Sequence, residues 1–291
     1  MISTYTIIAG NMKCPNSCPI CISKMTPSHG IGYEEPDFNW QKFRKATRIA
    51  IMRGAQNVLI TGKGEPTLFP KLVGEILFEL AELGEDGQFE RIELQTEGSN
   101  IANSITNDEL RKWKYAGLDL IALSIYHYDS RQNAGGFGHF GSDGGYDLPA
   151  LIGRLNAIGF LVRLSCMLRA GYMDSMDRVC ELIEFCKENN VFQLTLRTPD
   201  VPAEPLNEQV AQYIMENVVD HKNMNEINMY VKGKGKLCGD LPHGVSVYEV
   251  DGQNVSMTTG LGEPGDNRQL IFFPQGWLTT SWETVQGSRI I

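Results

Sequence analysis

The chain has 291 residues, of which 42% are apolar and 21% charged, and its formal net charge is -9. This length and composition predict an ordinary globular protein that buries a sizeable core in one large domain or two unequal ones. The negative charge argues against a general nucleic-acid binder, which would carry a basic stripe. No run approaches the ~18 apolar residues of a membrane span, and residues 1–13 do not resemble an export signal, so we expect a cytoplasmic protein.

Six runs with strand character alternate with segments of helical periodicity. The runs lie at residues 3–9, 57–61, 91–96, 118–125, 161–168 and 192–197. Several are nearly continuous apolar runs, as buried parallel strands are, and parallel strands need long crossover connections. A doubly wound sheet and a partial barrel both fit this alternation.

Capping residues mark the ends of several predicted helices. Asp174 or Ser175 is expected to cap the helix that ends near residue 190. Gly54, Gly84 and Gly117 each follow a helical run, where a left-handed residue is favoured. The helices therefore have defined limits within the αβ alternation.

The strand–helix alternation stops after residue 200. One helix is predicted at residues 206–219, followed by two hairpin-like segments with turns at 251–252 and 274–276. We therefore expect residues 201–291 to form a β-rich extension that covers an open face of the preceding domain.

A glycine-rich segment at residues 133–146 contains six glycines. Its composition is equally compatible with a mobile surface loop and with a lid that covers a substrate.

The segment CPNSCPIC places Cys14, Cys18 and Cys21 within eight residues, directly after the first strand. A disulfide uses two cysteines and a structural zinc site uses four ligands, so three thiols match neither. His29 lies outside the usual short spacing of zinc-finger ligands. Three thiolates can instead hold three irons of a [4Fe–4S] cluster and leave the fourth iron open to a ligand that is not protein. Zinc stays an alternative.

This Cys-x-x-x-Cys-x-x-Cys spacing resembles the signature of the radical S-adenosylmethionine (SAM) superfamily. The segment ITGKGEPTL, residues 60–68, resembles the Gly-Gly-Glu-Pro motif of that family, which meets the amino group of SAM. Lys63 stands where the family has a glycine, so its side chain must point away from SAM. The resemblance implies SAM contacts at Gly62, Gly64, Glu65 and Pro66.

Further matches follow at the ends of later strands. The segment VRLSCMLRAGYMDS, residues 162–175, resembles the fifth strand of the molybdenum-cofactor biosynthesis cyclase-like branch. Ile20 replaces an aromatic residue that touches adenine in the family, and Tyr126 replaces an acid. The resemblance implies further SAM contacts at Ile20, Thr96, Ser124, Ser165 and Arg169.

The resemblance also implies a fold, a partial (βα)6 TIM-like barrel over residues 1–200, whose opening the extension at 201–291 would cover. Members of the cyclase branch carry an additional cluster in a C-terminal extension. Cys238 is the one cysteine after residue 200 and cannot hold it, so we expect a single [4Fe–4S] cluster. The remaining cysteines, Cys166, Cys180 and Cys186, are expected to be small core residues.

The function that the resemblance implies is that of a radical SAM enzyme, an oxidoreductase or lyase. Such an enzyme cleaves SAM reductively at the cluster to a 5′-deoxyadenosyl radical, which abstracts hydrogen from the substrate. We expect a small-molecule substrate, with nucleotide-like molecules among the candidates, and an external electron donor such as flavodoxin or ferredoxin. Tyr126 and His127 are the candidate catalytic residues.

Two other functions remain open on the sequence alone. The first is radical SAM modification of a peptide or protein, for which the glycine-rich segment would be a docking surface. The second is a non-catalytic metal or electron-transfer protein that uses the cysteine triplet alone.

Overall fold

The computed structural model describes residues 2–35, 37–84, 89–139, 145–241, 244–259, 268–283 and 290. The chain divides into two compact units. The first unit comprises Met1–Pro15, Thr26–Ile121 and Glu263–Ile291, and the second comprises Asn16–Met25 and Ala122–Gly262. Within the described ranges, no helix is both long enough and apolar enough to cross a membrane.

The strands follow one another along the chain as β1 (Thr4–Ile8), β2 (Asn57–Thr61), β3 (Arg91–Thr96), β4 (Leu120–Ile125), β5 (Leu161–Met167), β6 (Gln193–Thr198), β7 (Lys236–Asp240), β8 (Ser246–Val250), β9 (Gln253–Thr259), β10 (Gln269–Phe273) and β11 (Trp277–Thr279). The helices are α1 (Trp40–Met52), α2 (Pro70–Leu83), α3 (Ser99–Asn103), α4 (Asn107–Tyr115), α5 (Ser130–Gly136), α6 (Leu148–Ile158), α7 (Met176–Glu188), α8 (Glu208–Glu216) and α9 (His221–Lys234). All six predicted strands are present, with ends within two residues of those expected.

The first unit contains a sheet in the order β11, β10, β1, β2, β3. Its neighbouring strands are parallel except for the hairpin of β10 and β11. Helices α1 and α2 each bury one apolar face, where Phe43 and Leu77 are fully buried, and the Phe43 ring lies 6.4 Å from the ring of Tyr5 in β1. Because β1, β2 and β3 run parallel, the residues that follow them lie at one edge of this sheet, where a βα scaffold places its chemistry.

The second unit contains a sheet in the order β5, β6, β9, β8, β7, in which β5, β6 and β9 are parallel and β8 and β7 are antiparallel additions. The hairpin of β8 and β9 turns at Asp251 and Gly252, with φ angles of 48° and 86°. Positive φ at both turn residues is typical of the type I′ hairpin that the Asp-Gly pair predicts. Strand β4 begins in the first unit and ends in the second.

The C-terminal residues contribute strands to both sheets. In the second unit β9 lies parallel to β6, and in the first unit β10 lies parallel to β1. The turn predicted at 274–276 is confirmed, since Phe273 pairs with Trp277 across it. That residues 201–291 cover a barrel opening stays a prediction.

Four details of secondary structure differ from expectation. Ser175 caps α7, but Gly84 has φ of -94° and is not the left-handed residue that we predicted. Helix α9 was not predicted, because just two of its side chains, those of Ile227 and Val231, are buried and its apolar pattern is weak. Strand β7 was also missed, since all five of its residues are exposed and alternation gives no signal. The start of the glycine-rich segment is helical, as part of α5, whereas residues 140–144 lie outside the described residues.

Candidate functional site

In the first unit, the turn after β2 is hydrogen-bonded to the segment that leads into the cysteine motif. The Gly64 N–H donates to the Asn11 carbonyl at 3.0 Å, and the Glu65 N–H donates to the Lys13 carbonyl at 2.9 Å. Asn11 shapes this segment through its side chain, whose Oδ1 accepts from the Lys13 N–H at 2.8 Å. The two motifs are therefore joined through their backbones at one edge of the sheet.

This close approach of two backbones requires glycine at two positions of the turn. A Cβ at Gly64 would lie 2.1 Å from the Lys13 carbonyl oxygen and 2.7 Å from that of Asn11. A Cβ at Gly62 would lie 2.7 Å from the Gly64 carbonyl oxygen. The glycines of this motif thus serve backbone packing, whatever further role they have toward a ligand.

The carboxylate of Glu65 is buried, with 4% of the residue exposed, and is held by four donors. Its Oε1 accepts from the Thr67 N–H at 3.0 Å, the Thr67 hydroxyl at 2.7 Å and the Thr96 hydroxyl at 2.6 Å. Its Oε2 accepts from the Glu97 N–H at 3.1 Å. Each carboxylate oxygen has two lone pairs, so Oε2 keeps acceptor capacity for a cation such as an ammonium group.

Two opposing influences act on the ionisation of Glu65. Burial, and after it the charge of Glu97, raise the pKa of the Glu65 carboxyl, while the hydrogen bonds from Thr96 and Thr67 act in the lowering direction. The net shift is upward. A cation beside Glu65 would favour the ionised form and reverse this shift.

Replacement of Glu65 by glutamine is expected to change how stability depends on pH. Because the pKa of Glu65 is higher in the folded chain than in the unfolded one, its stabilisation is complete below the unfolded pKa and is lost as pH rises through the folded pKa. Glutamine does not titrate. We therefore expect the stability of Glu65→Gln relative to the wild type to increase as pH rises from the ordinary pKa of glutamate, about 4.3, through the raised pKa of Glu65, as measured by urea unfolding. The exposed Glu188, changed to glutamine, serves as the control, and a pH-independent difference at Glu65 would contradict the expectation.

The side chain of Lys63 points into the first unit. Its Nζ donates to the Thr26 hydroxyl at 2.6 Å and lies 5.6 Å from the centre of the Trp282 ring. Trp282 in turn packs edge-on against Phe273 of β10. The lysine that departs from the family motif thus connects the turn to the C-terminal segment, and its backbone remains part of the turn.

The three cysteines of the motif differ in their surroundings from the buried ones. Each of the seven cysteines lies in the described residues and is a thiol. Cys14, in the first unit, is exposed, and Cys18 and Cys21, in the second unit, are half-buried. Cys166 and Cys186 are buried, and burial raises the pKa of both thiols. Accessible thiols in a loop suit metal ligation, whereas the buried pair are small core residues as predicted. Cys180, predicted to be a core residue with them, is half-buried.

The arrangement of the possible ligand side chains does not suit a single metal ion. Within the described part of the chain, no three His, Cys, Asp or Glu side chains are placed to hold one metal ion. A [4Fe–4S] cluster takes each thiolate on a different iron, so its ligands do not have to converge on one ion. Three accessible thiols spaced four and three residues apart fit such a cluster by their chemistry.

Ile20 lies in an apolar cluster of the second unit. The cluster also contains Met25, Tyr126 and Phe137, and Cys18 packs against it. The side chain predicted to touch adenine therefore anchors the cysteine loop, and its contact with SAM stays a prediction.

Arg169 follows β5 in the second unit and is surrounded by tyrosines. Its Nη2 donates to the Tyr213 hydroxyl at 2.7 Å, and its guanidinium carbon lies 4.6 Å from the centre of the Tyr172 ring. Only 8% of the residue is exposed. Its Nε and Nη1 are buried and have no hydrogen-bond partner among the described residues. A buried guanidinium with unused N–H donors suits an anionic partner such as a carboxylate, because a hydrogen bond between charged groups is a strong one.

The remaining predicted residues lie near strand ends. Ser124 is half-buried in β4, and Ser165 is buried in β5. The Nδ1 of His127 accepts from the Asp129 N–H at 2.9 Å, and burial lowers the pKa of His127. The imidazole is therefore neutral with its proton on Nε2.

Sequence reasoning missed several residues that hold these groups in place. Thr67 bonds Glu65, and its position directly after the Gly-Glu-Pro motif was a usable signal. The Oδ1 of Asn133 accepts from the Tyr126 N–H at 2.8 Å, and Tyr213 bonds Arg169. Asn133 and Tyr213 carried no local signal.

No protein-family model matches this chain, and no curated protein matches it. Solved structures do match at low identity. Streptococcus suis SuiB bound to S-adenosylmethionine has a TM-score of 0.61 at 15% identity, covering 100% of this chain and 63% of that chain. The same protein bound to precursor peptide SuiA has a TM-score of 0.59 at 17% identity, and the match covers 96% of this chain and 59% of that chain. Native anSMEcpe with bound AdoMet has a TM-score of 0.59 at 12% identity, and the match covers 98% of this chain and 76% of that chain.

These likenesses confirm the predicted fold class, an α/β fold with a partial (βα)6 TIM-like barrel and a C-terminal β-rich extension. The chain spans about three fifths of the length of the SuiB chains that it matches. The fold agrees with the radical SAM resemblance, and the structures compared give no support to the cyclase-like branch. A fold shared at such low sequence identity establishes the architecture alone, so the function must be argued from the site.

Proposed function

We propose that this chain is a radical SAM enzyme that holds one [4Fe–4S] cluster. The observation that carries the proposal is the pair of backbone hydrogen bonds from Gly64 and Glu65 to Asn11 and Lys13. They join the SAM-motif turn to the start of the cysteine motif, about 50 residues away in sequence. Because β1 and β2 are neighbouring parallel strands, the segments that follow them lie side by side, and these bonds hold the SAM-motif turn against the residues that lead into the cysteine motif.

The cluster ligands in this proposal are Cys14, Cys18 and Cys21. When bound, the cluster would supply the electron that cleaves SAM to methionine and a 5′-deoxyadenosyl radical, which takes hydrogen from the substrate. The chain's own part is to present three accessible thiols and to exclude water with the apolar cluster around Ile20. An external one-electron donor, such as flavodoxin or ferredoxin, belongs to the same proposal.

The groups proposed to bind SAM are complementary to its charges. The buried carboxylate of Glu65 would accept from the ammonium through Oε2, and the unused donors of Arg169 would bind the carboxylate. Thr96 would act through Glu65, which it bonds at 2.6 Å. The same proposal includes contacts from the Gly62, Gly64 and Pro66 backbone, from Ser124 and Ser165, and from Ile20 to adenine.

The Arg169→Lys variant is expected to need more SAM while keeping its iron. Lysine retains the charge but lacks the planar fork, so at least one charge-assisted hydrogen bond, worth about 1.5–3 kcal/mol, is lost. We expect the SAM concentration for half-maximal 5′-deoxyadenosine release to rise about tenfold or more. Arg111→Lys, an exposed arginine on α4, is the matched control. Loss of iron from Arg169→Lys, or an unchanged SAM requirement, would contradict the proposed contact.

The experiment that tests the function is anaerobic turnover of the reconstituted chain. The protein would be incubated with dithionite and SAM, and release of 5′-deoxyadenosine would be followed by mass spectrometry. We expect iron, sulfide and the visible absorbance of a cluster, together with 5′-deoxyadenosine. Stoichiometric zinc without iron would refute the proposal and favour the non-catalytic metal protein.

The proposed substrate is a small molecule, with nucleotide-like molecules among the candidates, because the fifth-strand segment resembles the cyclase-like branch. A peptide substrate is the second candidate, supported by the likeness to SuiB bound to precursor peptide SuiA. Small-molecule and protein fractions of a cell extract, added separately to the turnover, would decide between them. The fraction that increases 5′-deoxyadenosine release contains the substrate.

A further inference from the structure

Helix α8 packs on residues 16–25, which carry two of the proposed cluster ligands, within the second unit. Ile214 of α8 belongs to the same apolar cluster as Ile20. Ahead of the helix, the Leu206 N–H donates to the Met25 carbonyl at 2.9 Å. The part of the chain after residue 200, where the strand–helix alternation stops, is thus joined to the loop of the cysteine motif.

The end of α8 is also hydrogen-bonded to the turn that follows β5. The Ala170 N–H donates to the Asn217 carbonyl at 3.0 Å, and the Asn217 side chain donates to the Tyr213 carbonyl at 2.8 Å. The Tyr172 N–H donates to the Arg169 carbonyl at 3.0 Å within the turn itself. These bonds hold α8 beside the turn, and they involve neither the guanidinium of Arg169 nor the phenol of Tyr213.

The side chain of Tyr213 reaches from α8 to the Arg169 guanidinium. Its hydroxyl accepts from Nη2 at 2.7 Å, and its ring centre lies 5.3 Å from the guanidinium carbon. The ring centres of Tyr172 and Tyr126 lie 4.6 Å and 5.9 Å from the same carbon. Three aromatic rings favour a cation at this place, and the Tyr213 hydroxyl adds a directional bond that sets how the planar group is turned.

The bond to Tyr213 leaves other donors of Arg169 for a ligand. Nε and Nη1 are buried, and within the described part of the chain they have no hydrogen-bond partner. Because the guanidinium is rigid and planar, a bond that fixes the direction of Nη2 restricts the directions of Nε and Nη1 as well. A hydroxyl at one corner of the group therefore aims the remaining donors.

We propose that Tyr213 is a positioning residue, whose hydroxyl holds the Arg169 guanidinium in the orientation that binds the carboxylate of SAM. The inference rests on the proposed function, because it concerns the contact that Arg169 would make with SAM. It gives the chain after residue 200 a part in the SAM site, since α8 supplies the bond. Loss of the hydroxyl would leave a buried N–H of a charged group without its acceptor and let the guanidinium turn.

The test is equilibrium dialysis of the reconstituted full chain, with the cluster oxidised so that SAM binds without being cleaved. In Tyr213→Phe the ring remains and the hydroxyl is lost. We expect full iron content and a Kd for SAM that is raised about fivefold. The Kd for decarboxylated SAM, which lacks the carboxylate, should be unchanged. Tyr230→Phe is the matched control, because the Tyr230 hydroxyl donates to Asp251 at 2.6 Å, and its Kd for SAM should equal that of the wild type.

A double-mutant cycle distinguishes an action through Arg169 from a direct contact with SAM. In Arg169→Met the guanidinium is absent, so the further change Tyr213→Phe should leave the Kd for SAM unaltered. An effect of Tyr213→Phe that persists in this background, or an equal loss of affinity for SAM and decarboxylated SAM, would overturn the inference alone. So would a wild-type Kd in Tyr213→Phe where Arg169→Lys binds SAM more weakly. A wild-type chain that holds zinc and no iron, or that does not bind SAM, would overturn the proposed function together with it.

Discussion

The Cys18→Ala variant is expected to hold no iron-sulfur cluster and to release no 5′-deoxyadenosine. Two thiolates cannot hold three irons of a [4Fe–4S] cluster, and within the described residues no group of three His, Cys, Asp or Glu side chains is placed to take a metal ion instead. The change also removes a side chain that packs against the apolar cluster around Ile20. Iron and sulfide per chain after anaerobic reconstitution, with 5′-deoxyadenosine by mass spectrometry, measure the effect.

The control for this variant is Cys238→Ala. Cys238 is exposed in β7, and its thiol donates to the Lys236 carbonyl at 3.5 Å. Loss of this contact should leave iron content and SAM cleavage at wild-type values. An active Cys18→Ala chain with full iron would show that the cysteine motif is not the cluster site.

The Gly64→Ala variant is expected to lose about 3 kcal/mol of stability. A Cβ at this position would lie 2.1 Å from the Lys13 carbonyl oxygen, which is backbone and cannot rotate away. Overpacking costs about 1–3 kcal/mol, and the two hydrogen bonds from Gly64 and Glu65 are worth about 1 kcal/mol each. The midpoint of urea unfolding should therefore fall clearly, and the segment that leads to Cys14 should be displaced.

Gly153→Ala provides the matched control. Gly153 lies in α6, and a Cβ there would meet nothing within 4 Å. Because alanine is the better helix former, we expect this variant to be as stable as the wild type or slightly more stable. Equal stability of Gly64→Ala and wild type would mean that the turn does not pack on residues 11–13 in solution.

The succession of strands β1 to β6 along the chain and an α/β fold were predictable from the residues. Runs of five to eight residues with strand character, separated by amphipathic segments, predict buried parallel strands. The cysteine spacing and the Gly-Glu-Pro turn were equally visible, since both are local patterns. The Asp251–Gly252 hairpin also follows from two adjacent residues.

The glycine-rich segment shows the limit of such reasoning. A segment rich in glycine is typical of a mobile loop, yet Gly136 and Gly138 permit close contacts with Tyr126 and Ser17. Composition cannot distinguish a glycine that makes the backbone flexible from a glycine whose missing side chain lets a neighbouring segment pack closely. The neighbour decides, and it lies more than 100 residues away in the case of Ser17.

The sequence by itself therefore determined the succession of strands β1 to β6, the cysteine motif and the chemistry that three thiols and a Gly-Glu-Pro turn favour. Only the tertiary structure decided which groups meet: Thr96 with Glu65, Lys63 with Trp282, and Arg169 with Tyr213. Periodicity and capping act over a few residues, whereas these contacts depend on how distant segments are brought together by the burial of apolar side chains.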